Sequence, residues 1–215
     1  MERVLRSKKQ ARKNYNIMSR WYDLFTRSEK EFADIGIQLL DVQVNESILE
    51  IGCGTGHALI KFTNKSQNVC AIDLSEQMLK VARAKIKHAS IMFCQADGLV
   101  LPFSTDQFDC VFISFALELF DTPEVPKVLQ EISRVLKENG RLGIVSLVKE
   151  ETTAVRIYEW FHRLLPTLVD CRPIYLRPAM KEAGLQIQES TIKTMWGLPV
   201  EIAIGKKWSS GGVSK

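Results

Sequence analysis

The stretch Ser47-Ile48-Leu49-Glu50-Ile51-Gly52-Cys53-Gly54-Thr55-Gly56-His57 decides the fold. A short apolar strand runs into three glycines at alternate positions, and a helix-compatible segment follows. Such a strand–loop–helix turn leaves bare backbone against which a small, polar, adenosine-bearing ligand can sit. The spacing discriminates between ligands. The dinucleotide fingerprint G-x-G-x-x-G would put its third glycine at position 57. Position 57 is His, and Gly56 comes one residue early. An NAD-dependent oxidoreductase is therefore disfavoured.

Outward from this loop, apolar runs bounded by turn residues alternate with helical patterns. That is the rhythm of a parallel sheet with helices on both faces. Strands are expected at 47–51, 68–73, 91–95, 108–115 and 141–147, with two further strands at 185–193 and 199–206 close enough to pair antiparallel. Helices are expected at 55–62, 75–87, 123–137, 151–165 and 173–183. Ser75 has the character of an N-cap, with Met78, Leu79 and Val81–Ala82 forming the apolar stripe behind it. Asn139-Gly140 is expected to stop the helix before the fifth strand. Ahead of the sheet, residues 1–45 form a helical cap of two helices, 3–25 and 28–40. An α/β domain spans 46–208, and 209–215 is a polar, glycine-rich tail expected to be disordered.

Composition sets the class. The chain has 215 residues, 46% apolar and 25% charged, enough for one domain with a sizeable core. No apolar run approaches the ~18 residues of a membrane span. The start is charged from Glu2 onward and lacks the apolar core of a secretory signal, so a cytoplasmic protein is expected. The five cysteines, Cys53, Cys70, Cys94, Cys110 and Cys171, form no C-x-x-C pair and no metal-ligand spacing with histidine, so buried thiols and no metal are expected. Net charge is +4, but the first twenty residues hold Arg3, Arg6, Lys8, Lys9, Arg12, Lys13 and Arg20 against Glu2 alone. Such a segment is either a solvated basic helix or a peripheral contact for an anionic membrane surface. No aromatic interleaving or RNA-binding motif accompanies it, so no nucleic acid is expected.

Two acidic residues fall at the ends of the next strands, where open α/β sheets bind their ligands. Asp73 ends the second strand, where a carboxylate can accept from both hydroxyls of a ribose. Asp97 follows the third, where it can accept from the exocyclic amine of adenine, with the Ala96 and Gly98 backbone in reach of the ring nitrogens. The alternative for Asp97 is a plain turn residue before glycine. Leu74 and Met78 either flank the nucleoside or belong to the core.

These residues carry a family resemblance. E-x-G-x-G-x-G, filled by Glu50, Gly52, Gly54 and Gly56, resembles the signature of the class I S-adenosylmethionine (SAM) dependent methyltransferases. From about residue 46 to 148 the chain is similar to their ubiquinone/menaquinone-biosynthesis group, the methyltransferase type 11 domain. Asp97-Gly98-Leu99-Val100-Leu101-Pro102-Phe103 followed by Phe108-Asp109 resembles its A-D-x-x-x-L-P-F…F-D run. Leu136-Lys137-Glu138-Asn139-Gly140-Arg141-Leu142 resembles L-K-P-G-G-x-L, with Glu138-Asn139 in place of Pro-Gly. The resemblance implies a Rossmann-like α/β fold with seven strands ordered 3-2-1-4-5-7-6, the last antiparallel, behind an N-terminal helical extension.

It also implies a site. Gly52, Gly54 and Gly56 would let the backbone approach the methionine part of SAM, with Cys53 as a small loop residue rather than a nucleophile. Glu50 would place a negative charge near the ligand's α-amino group. Ser114 and Phe115 would border the cofactor at the end of the fourth strand, where this class faces its acceptor across Ser114–Glu118. That segment has no N/D-P-P-Y/F motif, which argues against an adenine or glutamine-amide acceptor. Asn16-Ile17-Met18-Ser19-Arg20-Trp21-Tyr22-Asp23 resembles a segment ahead of the fold in quinone and phospholipid methyltransferases that closes over SAM. Tyr15 and Tyr22 then lie near the sulfonium, or else simply pack on the sheet rim. Residues 158–177, rich in Trp, Phe, Tyr and Leu, fall where the fold inserts its substrate cover. His162 is the histidine there that could act as a base, the alternative being a surface histidine; His57 is expected on the glycine-loop helix and His88 at a solvent-facing helix end. The expected activity is methyl transfer from SAM to a small or lipid-like acceptor, foremost a quinone precursor. A phospholipid headgroup amine and a non-catalytic SAM-fold activator subunit are the alternatives.

Overall fold

The computed structural model describes residues 27–86, 91–150, 152, 155–158, 160 and 171–207. Its elements are α1 (Arg27–Leu40), β1 (Ile48–Ile51), α2 (His57–Thr63), β2 (Val69–Asp73), α3 (Glu76–Lys85), β3 (Ile91–Gln95), β4 (Phe108–Ser114), a 3-10 turn (Leu117–Leu119), α4 (Val125–Val135), β5 (Leu136–Leu147), α5 (Leu176–Glu182), β6 (Leu185–Met195) and β7 (Leu198–Lys207). The seven strands form one sheet ordered β3-β2-β1-β4-β5-β7-β6, parallel except for β7, which runs antiparallel to both β5 and β6.

The central strands are apolar at nearly every position because both faces are covered. Side chains alternate between two cores. Leu49, Ile51, Val111, Ile113, Leu142 and Ile144 pack with α4 and α5 on one face. Ile48, Ala71, Cys110, Phe112 and Val145 pack with α1, α2 and α3 on the other. Phe112 centres the second core. Its ring meets Phe62 of α2 edge-on at 5.5 Å, an arrangement worth about 0.5–1.5 kcal/mol beyond its buried area.

Helix α1 lies across β4, β5 and β7 and also touches α2. Gly36 makes that crossing close: a Cβ there would stand 2.6 Å from Val145 Cγ2 and 3.2 Å from the Phe112 ring. The far end of α1 is held by Arg141 of β5. Its Nε donates to the Leu40 carbonyl at 3.0 Å and its Nη2 to the Asp41 carbonyl at 3.0 Å. The guanidinium also clasps both carboxylate oxygens of Glu46, at 3.1 and 2.7 Å.

Several expected boundaries need correction. The helix before the fifth strand ends at Val135, not at Asn139-Gly140, and β5 begins at Leu136. Tertiary pairing overrides the turn signal there. Leu136 stands opposite Phe108, and the Val135 carbonyl accepts the Gln107 N–H at 2.8 Å. Gly140 serves close approach instead, since a Cβ would sit 2.8 Å from Leu136 Cδ1 and 3.0 Å from the Asp109 carbonyl oxygen. The last two strands are longer than expected because the turn at Trp196-Gly197, both residues at positive φ, carries the hairpin to Met195 and Leu198. The helix expected over 173–183 is shorter, Leu176–Glu182, because Ile174 is used in a bridge to Val148. Residues 155–158 and 160 are helical, within the expected 151–165. Tyr15, Tyr22, His88, His162, the basic first twenty residues and the tail lie outside the described residues.

Candidate functional site

The carboxyl ends of β1, β2, β3 and β4 lie along one edge of the sheet, in register through Ile51–Ile72, Asp73–Gln95 and Ile51–Ile113. The glycine loop leaves β1 at this edge. Gly52, Gly54 and Gly56 have φ of 69°, 51° and 85°, a region that L side chains rarely adopt. At Gly52 a Cβ would also stand 2.6 Å from Ala116 Cβ. The alternate glycines thus follow from the backbone path itself. His57 is the first residue of α2, as expected.

Asp73 fastens the loop. Its Oδ2 accepts the Gly54 N–H at 2.9 Å and its Oδ1 accepts the Ser75 N–H at 2.7 Å. Ser75 is the N-cap of α3, its Oγ accepting the Met78 N–H at 3.2 Å. Burial raises the Asp73 carboxyl above its ordinary range, and these two N–H donors partly offset it. Each oxygen has a second lone pair, so holding the loop leaves the carboxylate able to accept further hydrogen bonds.

An open cleft of about 480 Å³, its mouth included, lies against the loop. It is lined by Glu50 and Gly52–Thr55 from the loop, His57 and Ala58 of α2, Ser114 and Phe115 after β4, and Glu29, Lys30 and Ala33 of α1. Phe115 turns the chain at the end of β4 with φ 48°, and its ring meets Phe32 of α1 edge-on at 6.4 Å. Glu50 is 5% exposed, and its Oε2 has no hydrogen-bond partner among the described residues. Burial, and next the negative charge of Asp73, push its carboxyl well above the usual range. Burial likewise pushes the Cys53 thiol well up, with Glu50 and Asp73 adding to it, so Cys53 is a poor nucleophile.

Toward β3, Asp97 caps its own turn, Oδ1 accepting the Leu99 N–H at 3.1 Å. Gly98 is buried against Phe120, whose Cζ would be 3.0 Å from an added Cβ. Ala96 and Leu74 are half-buried, and Met78 is buried. The structure therefore brings Glu50, Gly52, Cys53, Gly54, Ser114 and Phe115 to one cleft, with Gly56 behind it at the start of α2, and sets Asp73, Leu74 and Asp97 at the adjoining strand ends. Glu29, Lys30, Ala33 and Thr55 were not singled out by sequence reasoning. Proximity to the glycine loop was the only signal for Thr55, and nothing local marked the α1 residues.

The site fits SAM on its own chemistry. An unpaired buried carboxylate oxygen calls for a cation, which the ligand's α-ammonium can provide.

Comparisons with known proteins agree. A family model described as a methyltransferase domain matches residues 48–140. Demethylmenaquinone methyltransferase of Shouchella clausii is 31% identical over 165 residues, 72% of this chain and 67% of that protein. The chain belongs to the class I SAM-dependent methyltransferase family. Demethylmenaquinone methyltransferase of Lactobacillus johnsonii is a further relative, 33% identical over 135 residues, 59% of this chain and 54% of that protein. The chain spans just over half the length of several curated relatives it matches. The crystal structure of a putative methyltransferase from Bacillus halodurans shares the fold, with TM-score 0.70 and 21% identity over 83% of this chain and 99% of that one. Family membership makes SAM the cofactor for which the glycine loop is built.

Proposed function

We propose that this protein transfers a methyl group from SAM to a small, lipid-like acceptor, foremost a quinone precursor. The observation that carries the cofactor half is the partnerless Glu50 Oε2, buried at the back of a cleft walled by the glycine loop. The acceptor half is supported by relatives named as demethylmenaquinone and ubiquinone/menaquinone methyltransferases.

When bound, SAM supplies a methyl group already made electrophilic by its sulfonium. The chain's work is then binding, alignment and exclusion of water. In this reading Glu50 meets the α-ammonium, and the backbone of Gly52, Cys53, Gly54 and Gly56 lies along the methionine part. Asp73 accepts from the ribose hydroxyls while holding the loop. Asp97, with the Ala96 and Gly98 backbone, meets the adenine edge, flanked by Leu74 and Met78. Ser114 and Phe115 border the reacting end; Tyr15 and Tyr22 are the candidates to complete it and His162 the candidate base, all three outside the described residues. Holding acceptor, methyl carbon and sulfur in line can supply ~7–11 kcal/mol of the barrier reduction. A base is required only for an acceptor that must lose a proton in the step.

Calorimetry with SAM and with its demethylated product S-adenosylhomocysteine tests the cofactor half; stoichiometric binding is expected, and none by the wild-type protein overturns it. Label transfer from radioactive SAM to extracted lipids tests the acceptor half. Counts are expected in the prenylated quinone fraction. Counts in phospholipid headgroups instead would favour the second reading, a headgroup amine methyltransferase working peripherally at the membrane surface. The basic character of residues 1–20 speaks for that reading. Sedimentation with anionic liposomes, with and without those residues, checks the membrane contact.

A further inference from the structure

The outer wall of the cleft is made by α1, a helix that belongs to neither the glycine loop nor the strand ends. Its carboxyl-terminal half is packed on the sheet through Gly36 and Leu40 and tied by Arg141. Its amino-terminal half carries the cleft-lining residues Glu29, Lys30 and Ala33. Phe32 and Asp34 each tie that half to a neighbouring element. Phe32 meets Phe115 edge-on, and Asp34 reaches across to α2. Asp34 Oδ1 lies 2.7 Å from His57 Nε2 and 2.7 Å from Lys61 Nζ. Burial alone would raise the Asp34 carboxyl, but the hydrogen bonds from Lys61 and His57 outweigh it and hold it below the ordinary carboxylate range.

We propose that Asp34 is a positioning residue: by bridging His57 and Lys61 it clamps the amino-terminal half of α1 to the glycine-loop helix and so closes the methionine end of the cofactor cleft. This rests on the reading of the cleft as the SAM site. Asp34 acts there through others. Ala33 beside it and His57 opposite it line the cleft, so the contact spans the cleft wall from α1 to the helix that the glycine loop begins. An isolated pair at this exposure contributes little, but one oxygen shared by two donors on successive turns of α2 locks a single arrangement. When the clamp opens, the fraction of molecules with a closed wall falls, and apparent affinity falls by the same factor. The two partners stand four residues apart on α2, so both present to Asp34 from one helix face.

The test is calorimetric titration of S-adenosylhomocysteine into wild type, Asp34→Ala and Asp34→Asn, with amide hydrogen exchange of residues 27–35 in the ligand-free proteins. About three- to tenfold weaker binding is expected for D34A, with faster exchange in residues 27–35 and slow exchange kept in residues 36–40. D34N keeps a neutral acceptor and should fall between. In a double-mutant cycle, His57→Ala should weaken binding in the wild-type background by more than it does in D34A, because the clamp is already lost there. A purely structural Asp34 would lower the melting temperature without that coupling. D34A or, should D34A not fold, D34N binding as tightly as wild type overturns the inference and leaves the SAM reading standing. Wild type that does not bind overturns the SAM reading and this inference together.

Discussion

Asp73 Oδ2 accepts the Gly54 N–H at 2.9 Å, so the carboxylate at the end of β2 holds the glycine loop in shape besides the ribose contact proposed for it. Replacing it removes two things at once. Asp73→Ala is expected to strip the Gly54 and Ser75 N–H groups of their acceptor, at a cost of about 1–3 kcal/mol in urea-unfolding stability. It should also weaken S-adenosylhomocysteine binding by more than about tenfold. Asp73→Asn retains one acceptor oxygen and should recover part of the stability but little of the binding. Equal losses in both variants would mean that loop support is not the carboxylate's second task.

Glu50 is a charge waiting for a partner. Its native carboxyl is raised by burial and by Asp73, so the ligand-free fold binds that proton more tightly than the unfolded chain does. The sign follows: the ligand-free protein loses stability as pH rises from the ordinary glutamate range, near 4.5, toward the raised native value. Glu50→Gln removes that loss and should raise the melting temperature of the ligand-free protein at pH 7. The same change deletes the counter-charge and should weaken S-adenosylhomocysteine binding about tenfold or more. Wild-type affinity should improve as pH rises through the titration of Glu50, while E50Q shows no such rise. A lower melting temperature for E50Q would contradict this account.

The opposite sign holds at the far edge of the sheet. Asp109 Oδ2 accepts from the Ser47 N–H at 2.9 Å and the Ser47 hydroxyl at 2.6 Å, and Lys137 Nζ lies 2.8 Å from both oxygens. Burial alone would raise the carboxyl, but Lys137 and the Ser47 donors lower it to about 2 from 3.8. A depressed native value means stability that is present above 3.8 and lost as pH falls toward 2. The difference between wild type and Asp109→Asn in acid unfolding should therefore shrink across that window. The group is partly exposed, so the difference at neutral pH should stay near ~1 kcal/mol or below. A gap that persists unchanged at pH 2 would place its origin elsewhere.

Arg141 joins three segments that are distant in sequence: the end of α1, Glu46 before β1, and β5 itself. Arg141→Ala should remove the guanidinium donors from the Leu40 and Asp41 carbonyls and the Glu46 carboxylate, of which Asp41 and Glu46 keep a donor on Gln43. About 1–3 kcal/mol is expected in the urea midpoint. Arg141→Lys should restore only part of this, because an ammonium cannot present the guanidinium's fork to Glu46 and the two carbonyls together.

Elements whose cause is local are legible in the residues alone. The strand into Gly52, Gly54 and Gly56, the Ser75 cap and the nearly all-apolar run of β4 each follow from backbone preference or from burial on both faces. Asp73 and Asp97 are legible as strand-end acids, because the sheet's edge is set by where the apolar runs stop. What failed was a local signal under a tertiary load. Asn139-Gly140 reads as a helix stop, yet β5 starts at Leu136 because the pairing with Phe108 is worth more than another helical turn.

Periodicity and glycine spacing act over a few residues, and they were enough to place the strands and the strand-end loop, while the resemblance to the SAM-dependent methyltransferases supplied the strand order and the cofactor. Tertiary packing was needed to bury Glu50 without a partner and to make α1 a wall of the cleft. It also joined Asp34 to His57, 23 residues on, and Arg141 to Leu40, 101 residues back. Those contacts depend on how helices cross the sheet, and a crossing is fixed by packing, such as Gly36 against Phe112, which no periodicity records.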